Sequence, residues 1–456
     1  MDFEVTVIGG GPGGYATAIK SAQRGKKTCV IEKENFGGVC LNEGCIPTKT
    51  LIKTINVLEE IKRSSEFAIE GLDTKNVKVS MEKLQKRKEM VRKQLVGGTE
   101  SLLESNGVEI FNGEASFKDK NTVIVNGKEI TSENIIIATG SKTAEARFIE
   151  RIGETNIITS KEALELEKIP KSISIIGGGV IGIEFAYIFS KLGTKVTVLE
   201  LMDRILPMVD EEISNILKRN LEKSGVKIIN NARVKSVNEN TVHYEFKGKE
   251  EFVISEYTLL SIGRTPNTEN LNLEAVGIEL DGKAIKVDEY LRTNIQNIYA
   301  IGDVNGKSML AHTASHEGMV ALDSIFGKFR EMEYDKIPSC IYVNPEIASI
   351  GLTEEQAKEK YGKIKVGKFP IIGNGKAVVE GNTEGLIKVI LDVELDEILG
   401  VHIMSIHATD MIAEIAAAMN LESTSEEIMN SIHPHPTVSE IIPEAFMAAN
   451  GRAIHF

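Results

Sequence analysis

"FEVTVIGGGPGGYATAIKSAQRGKKTCVIEKE", Phe3 to Glu34, is the stretch that decides the fold. It opens on a short apolar strand, Val5 to Ile8, and then sets Gly9, Gly11 and Gly14 in G-x-G-x-x-G spacing. A helix of small residues follows. A second strand, Thr28 to Ile31, ends on Glu32. Strand, glycine turn, helix, strand and acid is the order of a dinucleotide-binding unit. Gly9 makes the tight turn, and Gly11 lets backbone N–H groups approach a pyrophosphate at the helix N-terminus. Gly14 lets the helix pack closely on the strand, and Glu32 can accept both hydroxyls of a ribose.

The same device returns at "SISIIGGGVIGIEFAYIFSKLGTKVTVLE", with Gly177, Gly179 and Gly182 as the glycines and Glu200 as the acid. In both copies the acid lies 18 residues after the third glycine (14 to 32, 182 to 200). One G-x-G-x-x-G is a weak signal. Two, each flanked by strand and helix and each closing on Glu, point to two dinucleotide sites and electron transfer between two bound cofactors. Glu200 favours NAD over NADP, because it would repel a 2′-phosphate. Arg204, four residues on, is the one residue nearby that argues the other way.

Working outward, 456 residues are too many for one core. A net charge of −13 leaves a nucleic-acid role without electrostatic support. No apolar run approaches a membrane span, so no membrane partner is expected. The first residues, "MDFEVTVIGG", lack a basic n-region, so no signal peptide is read and the expected location is cytoplasmic. "SMEKLQKRKEMVRKQLVGGTESLLE", Ser80 to Glu104, reads as a solvated helix pair with no partner role. "NIIIATGS" (Asn134–Ser141), "YTLLSIGRTPN" (Tyr257–Asn267) and "NIYAIGDVNG" (Asn297–Gly306) are apolar strands that end in small-residue turns. Asp303, at the end of the third, suits either a hydroxyl of a cofactor or the N-cap of the next helix.

The chain has four cysteines, and Cys40 and Cys45 stand close together in "GGVCLNEGCIPTK". A cytosolic setting disfavours a structural staple. A metal clip would need C-x-x-C pairs, which are absent, and no metal is expected. Cys29 and Cys340 read as small buried hydrophobes inside apolar strands. "LNEG" reads as a flexible link. Pro47 fits the first turn of a helix starting near Cys45, whose dipole would stabilise a thiolate.

The quoted motifs, with "CLNEGCIPTK", "ATGS", "IGRTPN", "IYAIGD", "LAHTA" (Leu310–Ala314) and "HPHPTVSE" (His433–Glu440), run along nearly the whole chain. The sequence resembles the flavin-dependent disulfide reductases, the class I pyridine nucleotide-disulfide oxidoreductase family, and within it the dihydrolipoamide dehydrogenase branch. The resemblance implies an α/β fold with two Rossmann-like dinucleotide-binding domains, for FAD and NAD, and a C-terminal α+β dimerisation domain. The expected division is 1–146 for the FAD domain, 147–266 for the NAD domain, 267–336 for a central segment completing the FAD domain, and 337–456 for the interface domain. It starts at "PSCIYVNPEIASIGLTEEQA", expected to be an antiparallel sheet.

The resemblance also implies roles. Cys45 faces the flavin, Cys40 exchanges with substrate, and Lys49 lies by the flavin and pairs with Glu184. His435, oriented by Glu440, serves as acid–base for the other subunit's cysteines in a homodimer; the spacing to Glu440 selects His435 over His433. Cofactor-binding residues are Gly9, Gly11, Gly14, Glu32, Lys49, Gly113, Thr139, Gly140, Gly302, Asp303, Leu310 and Ala311 for FAD. For NAD they are Gly177, Gly179, Gly182, Glu184, Glu200 and Gly263. The implied reaction oxidises a dihydrolipoyl dithiol and reduces NAD. No lipoyl domain precedes the first strand, so the dithiol is expected on a carrier protein of a 2-oxoacid dehydrogenase or glycine cleavage complex. Glutathione reductase is the alternative enzyme, but Val180 stands where that enzyme carries a gating Tyr, and Glu200 opposes NADPH. No cysteine follows Cys340, which argues against mercuric reductase. A flavoprotein that senses redox state without turnover is the alternative outside catalysis. After "ATGS" the linker "KTAEARFIE" lacks the proline common in the family, which bears on the hinge between the nucleotide domains.

Overall fold

The computed structural model describes residues 1–153 and 155–455. Strand β1 (Phe3–Ile8) is rich in β-branched residues and nearly all buried, as a parallel strand covered on both faces must be. It pairs in parallel with β2 (Thr28–Glu32) on one side and with the strand Lys128–Ile137 on the other. Helix α1 (Pro12–Gln23) crosses between β1 and β2, with Pro12 in its first turn, where the missing N–H costs nothing. The sheet extends to Glu109–Asn112 beside β2 and to Ile298–Ala300 beside Lys128–Ile137, both parallel. An antiparallel meander of Ala115–Asp119 and Thr122–Val125 closes its far side.

A second parallel sheet of five strands repeats the plan, in the order Lys227–Ile229, Lys195–Leu199, Ser172–Ile176, Tyr257–Leu260 and Ile157–Ile158. The two connections between these units run together as a ribbon: Ser141–Thr143 pairs antiparallel with Arg264–Pro266. The linker without proline therefore starts as a strand. The C-terminal unit is a five-stranded antiparallel sheet ordered Ser339–Ile341, Glu346–Gly351, Ile398–Ser405, Leu386–Asp392 and Ile364–Pro370. Helices Ala408–Asn420 and Ile441–Ala449 bury Ile412, Ile415, Ile441 and Phe446 in its core. The chain is thus mixed α/β, with two parallel nucleotide-type sheets and a C-terminal α+β unit.

Two local expectations need correction. Helix α2 (Gly38–Glu43) carries Cys40, and helix α3 (Cys45–Lys62) begins at Cys45. "LNEG" is therefore mostly helical, and only Gly44 (φ −136°, ψ −112°) breaks the axis. The expected helix pair at Ser80–Glu104 is one helix, α4 (Met81–Ser105), of 25 residues. Ser80 caps it, its side chain accepting from the Lys83 amide. Gly97 and Gly98 each cost about 1 kcal/mol relative to Ala, but burial of Leu84, Val96 and Leu103 carries the helix through them. It is also only partly solvated: Leu84 joins the core that contains Leu164 and Ile183 of the second nucleotide unit, and Leu103 the one that contains Val5 and Val30 of the first. Among the described residues no helix is long and apolar enough to cross a membrane.

Candidate active site

Both glycine turns have the geometry their spacing anticipates. Gly9 takes φ +109°, and a Cβ there would stand 2.2 Å from Ala138 O. A Cβ on Gly14 would stand 1.8 Å from Gly9 O. In the second copy Gly177 takes φ +107°, and a Cβ on Gly182 would meet Gly177 O at 2.1 Å. The middle glycines differ. Gly11 has only Gly38 Cα nearby, at 3.9 Å, and Gly179 has nothing within 4 Å. Their neighbours in the chain do not require them to lack a side chain. The bare backbone there faces a cavity at a helix N-terminus, where a pyrophosphate is stabilised by free N–H groups and the helix dipole.

Glu32 and Glu200 are anchored alike. Glu32 accepts from the amides of Gly10 (2.6 Å) and Glu34 (2.8 Å). Glu200 accepts from the amides of Gly178 and Met202 (2.7 Å). Each carboxylate retains lone pairs for ribose hydroxyls. Arg204 is turned to the C-terminal unit, where Nη2 lies 2.9 Å from Glu355 Oε2.

One cavity of about 2300 Å³ joins the two turns. It exceeds the ~300–1,000 Å³ of an ordinary ligand pocket, which leaves room for more than one ligand. Gly9, Gly11, Glu32, Cys40, Cys45, Lys49, Gly113, Thr139, Gly140, Gly302, Asp303, Leu310 and Ala311 line it, as do Gly177, Gly179, Glu184, Glu200 and Gly263. Gly14 and Gly182 lie beneath the turns as packing residues. Thr139 donates to Asn267 O (2.7 Å). Asp303 accepts a short bond from the Ser141 hydroxyl and lies 3.9 Å from Arg264, and burial raises its carboxyl. The following helix is capped at Leu310 instead, so Asp303 is not its N-cap. The donor set suits two dinucleotides: two glycine turns with exposed N–H groups, each closed by an anchored carboxylate.

Cys40 and Cys45 both line this cavity. In the dithiol form the Cys40 thiol donates to Cys45. That bond, and then Lys49, holds the Cys45 thiol down to about 7 against its burial. The same bond, together with burial, pushes Cys40 well up. Cys45 is thus the more acidic thiol of the pair and Cys40 the less. Lys49 Nζ reaches both Glu184 oxygens, at 2.9 and 3.0 Å. Glu184 also accepts from the Tyr342 amide (3.1 Å), and Lys49 Nζ lies 4.5 Å from the centre of the Tyr342 ring. Tyr342 escaped the sequence reading, as did Ser141 and Arg264, whose guanidinium binds the Ser141 hydroxyl and carbonyl, each at 2.7 Å. The alternation of "SCIYV" was the available signal for Tyr342. Cys29 is fully buried, but Cys340 is half-buried and lines the cavity, since its strand ends beside it. Burial pushes its thiol up to about 11.

His435 and Glu440 are brought together but stand apart from the cavity. His435 Nδ1 lies 2.9 Å from Glu440 Oε1, with the ring 79% exposed. Burial would raise the Glu440 carboxyl, but the Thr437 amide and the His435 ring hold it below the usual carboxylate range. His433 is engaged elsewhere, with Glu414 at 2.9 Å. His435 does not line the cavity that holds its own chain's cysteines. Among the described residues no cluster of three or more His, Cys, Asp or Glu side chains could hold a metal ion.

Residues 3–318 match the family described as pyridine nucleotide-disulphide oxidoreductase. Residues 337–446 match the dimerisation domain of the same family. A dihydrolipoyl dehydrogenase of Bacillus subtilis is 40% identical, covering 99% of both chains. Another from Geobacillus stearothermophilus is 42% identical, covering 100% of this chain and 98% of its own. Among solved structures, the HOCl-induced flavoprotein disulfide reductase RclA from Escherichia coli superposes with a TM-score of 0.85 at 29% identity, over 97% of this chain and 99% of that one.

Proposed function

The chain belongs to the pyridine nucleotide-disulphide oxidoreductase family, and on that premise we propose that it oxidises a protein-bound dihydrolipoyl dithiol to the disulfide while reducing NAD+. One observation carries the reading: a dithiol with one lowered and one raised thiol, braced by Lys49 and Glu184, lies between two dinucleotide turns that open into one cavity. The division proposed is 1–146 for the FAD domain, 147–266 for the NAD domain, 267–336 for the segment completing the FAD domain and 337–456 for the interface domain. The first glycine turn holds FAD and the second NAD. FAD supplies the chemistry that joins a two-electron thiol couple to hydride transfer.

The residues of this chain handle the sulfur and the protons. In the disulfide form, a dihydrolipoyl thiol loses its proton to His435 of the partner subunit. The resulting thiolate attacks Cys40 Sγ; the Cys40–Cys45 bond breaks, and Cys45 leaves as thiolate beside Lys49. The second dihydrolipoyl thiol then attacks the substrate sulfur of the mixed disulfide; the imidazolium protonates the departing Cys40, and the freed imidazole takes the proton of the attacking thiol. Lipoyl disulfide departs, leaving Cys40 as thiol, Cys45 as thiolate and the second proton on His435. Substrate is oxidised by two electrons, and the cysteine pair is reduced by two. Glu440 keeps the far nitrogen of His435 protonated and stabilises the imidazolium, as the acid of a triad does. Cys40, which must be attacked and reprotonated, is the thiol; Cys45, which must leave, is the one whose thiolate is stabilised. The compartment proposed is the cytoplasm, and the dithiol is delivered by a lipoyl carrier of a 2-oxoacid or glycine cleavage system.

The test is NADH formation from NAD+ and dihydrolipoamide by the purified flavoprotein. Cys45→Ser is expected to keep its flavin and lose this activity. Full turnover in that variant would sink the assignment.

A further inference from the structure

Helix α4 carries the densest run of positive charge in an otherwise acidic chain. From Lys83 to Lys93 stand Lys83, Lys86, Arg87, Lys88, Arg92 and Lys93 against Glu89 alone, in a protein of net charge −13. Two of these cations are used internally. Lys88 is buried and bonds Leu164 O and Glu165. Arg92 forks onto Glu89 and reaches Asn42 Oδ1 on α2 at 2.8 Å. The other four are exposed. Lys86 pairs with Glu82 in open solvent and Lys93 stands 3.5 Å from Glu89, contacts worth little. Lys83 and Arg87 make no ion pair among the described residues. Positions three and four apart share a helix face, so these cations form one outward stripe.

The stripe runs along the outer face of a helix whose other face borders the catalytic cavity. Glu89 and Arg92 line that cavity together with Cys40 and Asn42. We propose that this face of α4 docks an acidic carrier domain that delivers the dithiol, an inference that rests on the function proposed above. A second copy of the chain is a poor occupant, because a two-fold contact would set the stripe against itself. Nucleic acid is opposed by the net charge of −13.

Lys83→Glu/Arg87→Glu is compared with the parent on two substrates: free dihydrolipoamide and a recombinant lipoylated domain of net negative charge. The expected result is an unchanged rate on the free dithiol and a loss of roughly tenfold in kcat/KM on the domain. Raising salt from about 50 to about 500 mM should lower the parent's kcat/KM on the domain and spare the variant. The unchanged rate on free dithiol controls for folding, and Lys83→Gln/Arg87→Gln, which removes the charges without reversing them, should weaken the salt dependence on the domain as a second readout. No loss on the domain, a salt-independent parent, or equal loss on both substrates would overturn the docking proposal alone. A parent inert with both substrates would overturn the functional reading and the docking with it.

Discussion

Lys49 on α3 and Glu184 on the helix Val180–Lys191 meet at 2.9 Å, so the cysteine-bearing segment and the second nucleotide unit share one ion pair. Glu184 is 5% exposed and also holds the amide of Tyr342 from the C-terminal sheet. Three units of the chain thus converge on one carboxylate, and the cation it orients bears on the Cys45 thiolate.

Lys49 and Glu184 push Cys45 in opposite directions, the lysine down and the carboxylate up, beneath the larger effect of Cys40. Lys49→Met is therefore expected to raise the Cys45 thiol and Glu184→Gln to lower it. In the reduced parent the Cys45 thiolate forms as pH rises through about 7. Removing a cation at this range moves a pKa by about one unit or more, which cuts the thiolate at pH 7 roughly fivefold. The check is the pH profile of iodoacetamide labelling of the Cys45 peptide by mass spectrometry. Shifts of the same sign in both variants would refute this account.

The middle glycines separate the two nucleotide sites. Gly11 (φ −69°) and Gly179 (φ −75°) are in extended backbone that any residue adopts, and their Cβ positions are open. Gly11→Val is expected to lose bound flavin, and Gly179→Val to keep its flavin colour while the KM for NADH rises more than tenfold. Neither should lower the unfolding midpoint of flavin-free protein. A Gly179→Val protein with unchanged KM would place the second dinucleotide elsewhere.

The two turns were legible because glycine there is enforced locally, by contacts within a few residues of the motif such as Gly14 against Gly9 O. The redox pair and its lysine were legible for the same reason, being packed into ten residues. What escaped was tertiary. Gly97-Gly98 looks like a break, and only the burial of Leu84, Val96 and Leu103 makes α4 continuous. Arg204 is pulled from the strand end by Glu355, 151 residues away. Tyr342 and the exposure of Cys340 depend on where a strand of the C-terminal sheet ends. That His435 stays outside the cavity of its own chain is likewise set by tertiary packing, which periodicity does not encode.

Lys388 is buried and binds Asp210 at 2.7 Å and Glu212 and Glu354 at 2.9 Å, tying the second nucleotide unit to the C-terminal sheet. Lys388→Met leaves Asp210, 2% exposed, as an uncompensated buried charge, at a cost of about 3–5 kcal/mol. Burial alone would raise the Glu354 carboxyl, but Lys358 and Lys388 hold it down to about 2. A depressed carboxyl contributes stability above its unfolded pKa, about 4.3, and loses it as pH falls through the folded value. The gap in urea midpoint between parent and variant should therefore be widest near pH 7 and narrow from about pH 4 toward 2. A gap that widens on acidification would refute the pairing.

Arg204 and Glu355 set the last expectation, on nucleotide choice. Arg204 is the nearest cation in sequence to Glu200, yet its charge is engaged by Glu355 at 2.9 Å. A 2′-phosphate at this site meets the Glu200 carboxylate without a free guanidinium to offset it. Glu200→Ser removes the repulsion and should raise kcat/KM for NADPH. Adding Glu355→Gln releases Arg204 and should raise it further, by roughly tenfold, the equivalent of about 1.4 kcal/mol. Placing Arg204→Met on the double variant should cancel that second gain while leaving the NADH rate near its value in Glu200→Ser/Glu355→Gln. Steady-state kinetics with both nucleotides over the series read this directly. If Glu355→Gln adds nothing for NADPH on the Glu200→Ser background, Arg204 does not reach the 2′ position, and discrimination rests on Glu200 alone.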